Sequence, residues 1–539
     1  MKRLLFTLIV TFAFCGTFFA QQTSHWDDVN PYAYDMGYAG FVSTVIIDNN
    51  IITFDDNNWE NMEIGAFVDG EIRAHSFLRN QESYGPQYEY PGVDLYIYAH
   101  VFFGTPEIGK EVTFKLYDHN TDYEYTCCVS EPDAVVTIGQ DHLPGNPGSP
   151  LTLSFFHTYT KEIDPYSNEE GVNNGWYLIS SPLNEAVNAE DVLGLRTPEF
   201  DFYSFNQSAE DGLEWINHKD EATYQLQPGV GYLYANSTGE DLTFIGAPYE
   251  GNGEVTLAYD ANAEFPGWNL VGNPFAQTAS IDRDEFYVMN QNGTEIITAQ
   301  DNEIAAMEGI FVVAAGANEK VTFSTAVPNT GKGQIVLNVS QDRVNVIDRA
   351  IVRFGQGGTL PKFMLNQNNT KVYIPKENKD FAVVRTNNSG RLPVNFESAE
   401  DGVYFINASV ENLAGVRYLH LIDHEAGLDI DLLQEPIYKF DAKKNGKPNR
   451  FELVFKKISS QFKELSASNG NSFGFCNNGN WIINNEGDAV LQVIDVNGRI
   501  LCNEEINGSV SKRIDAAPGV YMLRLINNND VKVQKIVVE

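Results

Sequence analysis

Short apolar runs rich in Val, Ile, Tyr, Phe and Thr recur along the chain, separated by clusters of Gly, Pro, Asn and Asp. Apolar runs bounded by turn residues are typical of strands joined by hairpins. One short helix is predicted at 188–193, with Asn188 as its cap. The pattern predicts an all-β protein of tandem, Ig-like β-sandwich domains that ends in a small C-terminal β-sandwich. The clearest predicted strands are 41–47, 112–118, 232–236, 311–315 and 418–423.

Changes in composition divide the 539 residues into modules. At about 100–200 residues per domain, roughly three to five domains are expected. The polar segments 158–171 and 457–474 are predicted linkers. The predicted modules are two β-sandwich modules at 26–157 and 331–456, a β domain with an internal duplication at 172–330, and a small module at 475–539.

The module at 172–330 contains an internal repeat. The segment GWYLISSPL (175–183) matches GWNLVGNPF (267–275), and two later segments repeat in the same order, at 229–236 with 307–314 and at 242–246 with 321–325. The repeat predicts a duplicated strand set in which each copy packs one Trp. Trp176 and Trp268 could instead be stacking platforms for sugar rings, but aromatic residues in apolar strands are more often core.

The first twenty residues have the pattern of a secretory signal peptide. Two basic residues precede an apolar stretch at 4–14, and polar chain follows the expected cleavage site after Ala20. A lipoprotein signal at Cys15 is the weaker alternative, because bulky Phe14 precedes it. The stretch is short for a membrane span, so no transmembrane segment is expected to be retained.

The four remaining cysteines are too few to form a disulfide scaffold in so long an exported chain. A bridge between adjacent Cys127 and Cys128 would be strained, and in a strand the two side chains would face opposite ways. For Cys476 and Cys502 two interpretations stay open, a bridge within the last module or two buried thiols.

Acidic residues outnumber basic ones by 73 to 36, which gives a formal charge of −37. Such a surface repels phosphate backbones and anionic lipids, so no nucleic-acid partner is expected. A hydrophobic content of 43% argues against a disordered chain. The charge is expected to maintain solubility and mutual repulsion at a crowded surface.

The C-terminal module contains an apolar strand, a turn at 495–498 and a terminal hairpin after Pro518-Gly519. In these features it resembles the C-terminal sorting domain of the type IX (Por) secretion system of Bacteroidetes. The resemblance implies export across the outer membrane by that machinery, followed by release or attachment at the outer surface. The residues that carry it are Asp495, Gly498, Arg499, Pro518, Gly519, Val520, Tyr521, Lys535, Val537 and Val538.

Several upstream segments resemble recurrent β modules of Bacteroidales surface proteins. They are DVNPYAYDM, EIGAFVDGEIRA and EVTFKLYD in the first module, and DRAIVRFG, VYIPKENKDFAVV and YLHLIDHEAGLDIDLL in the third. This resemblance implies a location and an architecture, and it implies no ligand.

Catalytic signatures are scarce. The sequence has no HExxH, P-loop or dinucleotide-binding motif. Its one GxSxG match, around Ser472, lacks the buried strand and the helix that a nucleophile elbow needs. His420 and His424 would lie about 13 Å apart in a continuing strand, which is too far for one metal ion.

The segment 118–122 has the alternating oxygen ligands of a calcium loop. Tyr123 and Val129 stand where an EF-hand needs Gly and Glu, so the EF-hand is excluded and a hairpin turn is favoured. We predict no cofactor, with a looser calcium site left open.

These observations predict a non-enzymatic binding or adhesion protein that is secreted or displayed on the cell surface. A glycan or a surface protein is the expected ligand. Two alternatives stay open, a glycan hydrolase with an unrecognised carboxylate pair and a structural spacer that binds nothing.

Overall fold

The computed structural model describes residues 23–538, except 28, 31–32, 34–35, 53–58, 81–94, 132–134, 139–150, 168–173, 284, 327–331, 366–367, 388, 414–415, 458–472, 478–479, 486 and 528–530. Regular structure in the described part consists of strands and two single 3-10 turns, Trp59–Asn61 and Thr105–Glu107. The all-β prediction is therefore confirmed. The chain forms two compact units, residues 1–458 and residues 459–539. The module boundaries within the first unit stay predictions.

The first module is a sandwich of two sheets. The first sheet has the order β5-β6-β1-β11-β9 with β2 paired to β1, and the second has the order β10-β7-β3-β4 with β8 paired to β7. Both sheets face one apolar core, which includes Val45, Ile64, Leu116 and Phe155. The strands are β1 Met36–Ile47, β2 Asn50–Ile51, β3 Met62–Val68, β4 Glu71–Phe77, β5 Arg79–Asn80, β6 Leu95–Phe103, β7 Glu111–Asp118, β8 Tyr123–Tyr125, β9 Cys127–Glu131, β10 Val136–Thr137 and β11 Leu151–Phe156.

A buried carboxylate on β3 holds the N-terminal segment 23–27 against this module. Glu63 accepts hydrogen bonds from the Ser24 hydroxyl and from the His25 backbone N–H at 2.8 Å. His75 Nδ1 lies 2.7 Å and His119 Nε2 3.1 Å from its two oxygens. Burial opposes ionisation of Glu63, but these hydrogen bonds outweigh it and lower its pKa to about 2.

The duplicated module contains two copies of one strand pattern. The first copy forms a sheet of order β13-β18-β15-β16, and the second forms a sheet of order β21-β25-β23-β24. In both sheets the strand that comes first in the chain pairs with the strand that comes last, and the two intermediate strands follow. Each copy also pairs a leading strand with a closing one, β12 with β19 and β20 with β26. The strands are β12 Thr158–Lys161, β13 Tyr177–Ser180, β14 Val187–Asn188, β15 Phe200–Phe205, β16 Trp215–Asn217, β17 Gln225–Leu226, β18 Gly231–Asn236, β19 Leu242–Ile245, β20 Glu254–Thr256, β21 Trp268–Gly272, β22 Ser280–Ile281, β23 Tyr287–Met289, β24 Ile296–Thr298, β25 Gly309–Val313 and β26 Lys320–Ser324.

Two sequence predictions for this module are wrong. The segment 158–171 does not read as a linker throughout, because β12 lies in it and pairs with β19. Strand β12 thus pairs with a strand of the first copy of the duplicated module. No helix forms at 188–193, since Asn188 ends strand β14 and turns follow it. The Asn188 amide donates to the Asp191 carboxylate at 2.8 Å, so it closes a turn instead of capping a helix.

Equivalent positions of the two copies meet each other. Ser180 in the first copy corresponds to Gly272 in the second, and a Cβ added at Gly272 would lie 2.2 Å from the Ser180 Cβ. Gly231 corresponds to Gly309, and a Cβ at Gly309 would lie 3.4 Å from the Gly231 Cα. The copies are thus related by an approximate two-fold axis along which glycine permits close backbone approach.

The third module is a single hydrogen-bonded sheet of eleven strands in the order β35-β34-β37-β32-β30-β31-β28-β27-β33-β36, with β29 paired to β31. Strands from both halves of this order contribute to one apolar core, which includes Val339, Tyr404, Leu421 and Leu453. The sheet therefore curls around its own core. The strands are β27 Gln334–Ser340, β28 Asp348–Phe354, β29 Leu360–Pro361, β30 Lys371–Lys376, β31 Lys379–Thr386, β32 Gly390–Glu397, β33 Gly402–Glu411, β34 Val416–Asp423, β35 Leu428–Asp431, β36 Ile437–Ala442 and β37 Phe451–Lys457.

The second compact unit is a small β-sandwich. A three-stranded sheet, β38-β39-β42, and a four-stranded sheet, β41-β40-β43-β44, share an apolar core around the fully buried Trp481. The strands are β38 Gly474–Asn477, β39 Asn480–Ile483, β40 Asp488–Asp495, β41 Ile500–Asn507, β42 Val510–Arg513, β43 Gly519–Ile526 and β44 Val531–Val538.

We predict that Gly272→Ala lowers the free energy of unfolding by about 1–3 kcal/mol, because the new methyl group overlaps Ser180 and the Val230 carbonyl oxygen. Gly316→Ala is the matched control, since open space surrounds that position. It should stay within about 0.5 kcal/mol of wild type. Urea unfolding of both variants tests the prediction, and equal stabilities would contradict the close contact between the copies.

Candidate functional site

An apolar cluster joins the duplicated module to the eleven-stranded sheet, and we call this contact the seam. It contains Trp268, Tyr287 and Phe311 from the second copy, with Val336 and Phe363 from the sheet module. The Trp268 ring lies 5.1 Å from the Phe363 ring, and Trp268 is 6% exposed. A ring so deeply buried cannot stack on a sugar, so the stacking hypothesis is wrong for Trp268 and the core interpretation holds.

Beside the seam lies a cavity of about 250 Å³, which we call the seam cavity. Both copies of the duplicated module and the eleven-stranded sheet contribute to its wall. Junctions between modules are common positions for ligand sites. The lining residues are Trp176, Trp215, Leu233, Met289, Thr294, Glu295, Ile296, Ile347, Asp348, Lys362, Phe363, Leu365, Asn369, Thr370 and Lys371.

Two tryptophans from the first copy form the aromatic part of the lining. Trp215 lies on β16, where Phe205 and Phe311 hold its ring edge-on at 5.4 and 5.8 Å. Trp176 precedes β13 and contacts Tyr166 edge-on at 5.4 Å. Both are half-buried, so part of each side chain faces the cavity. A stacking role therefore stays open for Trp176, and sequence reasoning missed Trp215.

A carboxyl group from the second copy lines the same cavity. Glu295 follows a tight turn that Asn290 closes by accepting the backbone N–H groups of Thr294 at 2.8 Å and Glu295 at 3.1 Å. The Asn369 amide donates to the Glu295 carboxyl group. Burial, and after it the charge of Asp348, raise the pKa of Glu295 to about 8. Glu295 is therefore protonated at neutral pH and can donate a hydrogen bond.

A buried ion pair lies at the sheet side of the cavity. Lys362 Nζ lies 2.5 Å from both carboxylate oxygens of Asp348, with side chains 2% and 5% exposed. The backbone N–H of Val372 donates to Asp348 Oδ2 at 2.6 Å. Asp348 is thus held by the fold and is not available as a nucleophile for a bound sugar.

The seam cavity combines aromatic surfaces with a small number of fixed polar groups. Trp176 and Trp215 can contact the apolar face of a sugar ring, and Glu295 and Asn369 can hydrogen-bond its hydroxyl groups. Sequence reasoning could not find Glu295, Asp348 or Lys362, because they are brought together from distant segments and match no motif. The one signal in the sequence is that each of these charged residues has mainly apolar neighbours along the chain.

The C-terminal unit brings the predicted sorting residues together at one end of its four-stranded sheet. Asp495 accepts the backbone N–H groups of Asn497 and Arg499, both at 2.9 Å. Its carboxylate also pairs with Arg499 Nε at 3.1 Å. Gly498 has φ +79°, which glycine adopts without strain. These contacts form the turn between β40 and β41, and lower the pKa of Asp495.

The Pro518 segment meets this turn through the sheet. Gly519 and Val520 begin β43, and Tyr521 lies opposite Asp495 in the neighbouring strand. The Tyr521 hydroxyl donates to the Ala517 carbonyl at 2.7 Å, and its ring packs edge-on against Trp481 at 5.8 Å. The backbones of Lys535, Val537 and Val538 pair with Met522, Val520 and Gly519 in the terminal hairpin.

Residues 477–539 match the family model described as "Secretion system C-terminal sorting domain". The C-terminal unit is a type IX secretion sorting domain. The protein is therefore exported to the cell surface or the medium and interacts with the type IX machinery. No helix among the described residues has the length and apolar character to cross a membrane.

Two further comparisons add little to this assignment. No curated protein matches the chain. A solved structure titled "Biofilm associated protein - BSP domain" is similar at 8% identity and a TM-score of 0.12, and the match covers 96% of this chain and 98% of that one. Such a TM-score supports no argument about fold or function.

The other candidate residues have ordinary structural contacts. Asp118 accepts bonds from Asn120 at 2.8 Å and Thr121 at 3.0 Å within the β7–β8 hairpin. His420 lies 2.7 Å from an Asp429 oxygen on the neighbouring strand, and His424 follows β34. Among the residues in the described ranges, no cluster of His, Cys, Asp and Glu could hold a metal ion.

The remaining predictions concern the cysteines and the segments outside the described residues. Cys476 and Cys502 are both thiols, and they lie on strands of different sheets around the same core. The bridge interpretation is therefore wrong. The side chain of Cys127, the GxSxG residue Ser472 and the predicted signal peptide lie outside what the structure describes.

We predict that Glu295 makes stability depend on pH. Its folded pKa of about 8 lies above the ordinary value of 4.5, so the folded protein keeps a proton that the unfolded chain releases. The resulting contribution is fully present below pH 4.5 and is lost as pH rises through 8. The stability of wild type relative to Glu295→Gln should fall by about 4 kcal/mol between pH 5 and pH 9.

Thermal or urea unfolding of wild type and Glu295→Gln at a series of pH values measures this difference. The glutamine variant keeps the shape and a donor but cannot titrate, so it is its own matched control. Parallel curves for the two proteins would show that Glu295 does not hold a proton in the folded state.

Proposed function

We propose that this protein is a glycan-binding adhesion protein that a Bacteroidetes bacterium exports by way of an N-terminal signal peptide and its sorting domain. The observation that supports binding is the seam cavity, where Trp176 and Trp215 stand beside Glu295 and Asn369. Stacking surfaces next to hydrogen-bonding side chains suit a sugar ring, which has apolar faces and polar edges.

We propose binding without catalysis. A retaining glycosidase needs two free carboxyl groups about 5–5.5 Å apart. In the seam cavity Glu295 is a suitable acid, but the second carboxylate, Asp348, is bound by Lys362 and the Val372 N–H. This arrangement supports recognition of a sugar and gives no free nucleophile for its hydrolysis.

The purified mature protein, applied to a panel of soluble and insoluble polysaccharides, tests the proposal. We expect retention by at least one polysaccharide and no release of reducing ends. Trp176→Ala and Trp215→Ala should each weaken binding about tenfold or more, because each removes an aromatic contact in the cavity. Tyr259→Ala is the matched control, since this exposed aromatic residue lies outside the cavity lining.

Each other outcome has a defined meaning. Reducing ends released by wild type and lost in Glu295→Gln would overturn the binding proposal in favour of a hydrolase. If Trp176→Ala and Trp215→Ala are retained as well as the control Tyr259→Ala, the glycan site lies outside the seam cavity. A protein that no polysaccharide retains would contradict glycan binding and favour a protein ligand or a spacer.

A further inference from the structure

The Asp348–Lys362 pair holds an amine against a carboxyl group in a buried position. Lys362 Nζ lies 2.5 Å from both Asp348 oxygens, so the amine lies directly against the carboxyl group. Two groups that a fold already holds in contact need no diffusional encounter before they can react. The surface pair of Lys443 with Asp401 is different, because its side chains are 78% and 57% exposed and water competes for both charges.

The fold fixes the position of Lys362 from both sides. The Tyr287 hydroxyl donates to the Pro361 carbonyl at 2.6 Å and accepts the Phe363 N–H at 2.9 Å. Tyr287 is fully buried in the seam, so it clamps the backbone on either side of Lys362. The amine therefore cannot swing out to solvent without opening the seam.

The surroundings also suit each chemical role. Burial lowers the pKa of Lys362 although the Asp348 carboxylate opposes the shift, so the neutral, nucleophilic amine is easier to form here than in water. The Val372 N–H points at Asp348 Oδ2, where negative charge would develop in a tetrahedral intermediate. Glu295 lines the same cavity and holds a proton at neutral pH.

We propose that Lys362 and Asp348 condense into an intramolecular amide cross-link, with Glu295 as the acid–base group that moves the protons. The Nζ lone pair attacks Cγ of Asp348, and the Nζ–Cγ bond forms. The Cγ–Oδ1 bond then breaks, and Oδ1 leaves as water with two of the three protons of the original ammonium group. Glu295 relays one of these protons and ends protonated, as it began. The reaction needs no oxidant and no further reactant.

Two physical effects drive this condensation in a folded protein. Groups fixed in reacting geometry have effective concentrations of roughly 10⁵–10⁸ M, which far exceed those of free partners. The reaction also replaces two buried charges, which the interior solvates poorly, with one neutral amide. In water the same pair would remain an ion pair, so the cross-link depends on burial.

The cross-link would fasten the start of β28 to the residue that follows β29. It closes a loop between residues 348 and 362, which restricts the unfolded chain and so stabilises the folded one. Both ends of the loop lie beside the seam, where the duplicated module contacts the sheet. Loss of the Asp348 charge leaves burial to raise the pKa of Glu295, so the direction of the pH dependence predicted above is unchanged.

The test is a tryptic digest of the folded, full-length secreted protein, analysed under denaturing conditions by tandem mass spectrometry. Trypsin should release residues 344–349 joined to residues 354–371, with a combined mass lower by one water molecule. Cleavage after Lys362 should be absent, because the amide blocks it. Peptides that contain Lys443 and Asp401 should be linear in the same digest, as the internal control.

Variants of the three residues test the role of each residue in the cross-linking reaction. Lys362→Met and Asp348→Ala should give no joined peptide, and Glu295→Gln should form it roughly 100-fold more slowly or not at all. Equal cross-linking in Glu295→Gln would overturn its acid–base role. Separate, linear peptides 344–349 and 363–371 from folded wild type would overturn the cross-link itself, whether or not any variant folds. The mass-spectrometric result does not depend on the polysaccharide assay, so glycan binding and the cross-link are tested separately.

Discussion

The apolar seam between the duplicated module and the eleven-stranded sheet is the contact on which the rest of the first unit depends. Trp268, Phe311 and Phe363 bury their rings against one another there, and Val336 and Val383 supply the aliphatic surface of the sheet. Burial of large apolar side chains is the dominant favourable term in such a contact. The seam fixes the positions of three chain segments that are far apart in sequence, and the cavity exists because they meet there.

Duplication followed by unequal packing explains why two equivalent tryptophans have different environments. Trp176 and Trp268 occupy matching places in the two copies, but Trp268 is buried and packs edge-on against Phe363 at 5.1 Å, whereas Trp176 is half-buried. Trp176 instead lies at the cavity, where the Gly293 carbonyl accepts its backbone N–H at 3.1 Å. A symmetric pair of core positions has thus become one core residue and one residue that can contact a ligand.

Much of the architecture could be predicted from the sequence, because strands and turns leave local signals. The runs at 112–118 and 232–236 lie in β7 and β18, and the sorting domain could be recognised from its turn and terminal hairpin. The strand Thr158–Lys161 could not be predicted, because its four residues are mostly polar and gain strand geometry only by pairing with β19.

The candidate site was far less predictable than the fold. Glu295, Asp348 and Lys362 look like surface charges in the sequence, and only the tertiary contact at the seam brings them to one cavity, with Asp348 and Lys362 buried and Glu295 half-buried. Trp215 likewise carries no local sign of its place in the cavity. The chemistry of a junction depends on which segments meet, and no periodicity or short motif encodes that information.

Our central proposal is that a glycan binds in the seam cavity of this exported surface protein. A crystal structure of the mature protein with a fragment of a polysaccharide that retains it tests this claim most directly. We predict density for a sugar ring against Trp176 and Trp215, with a hydroxyl group within hydrogen-bonding distance of Glu295 or Asn369. A sugar bound at another surface, with the seam cavity empty, would contradict the account.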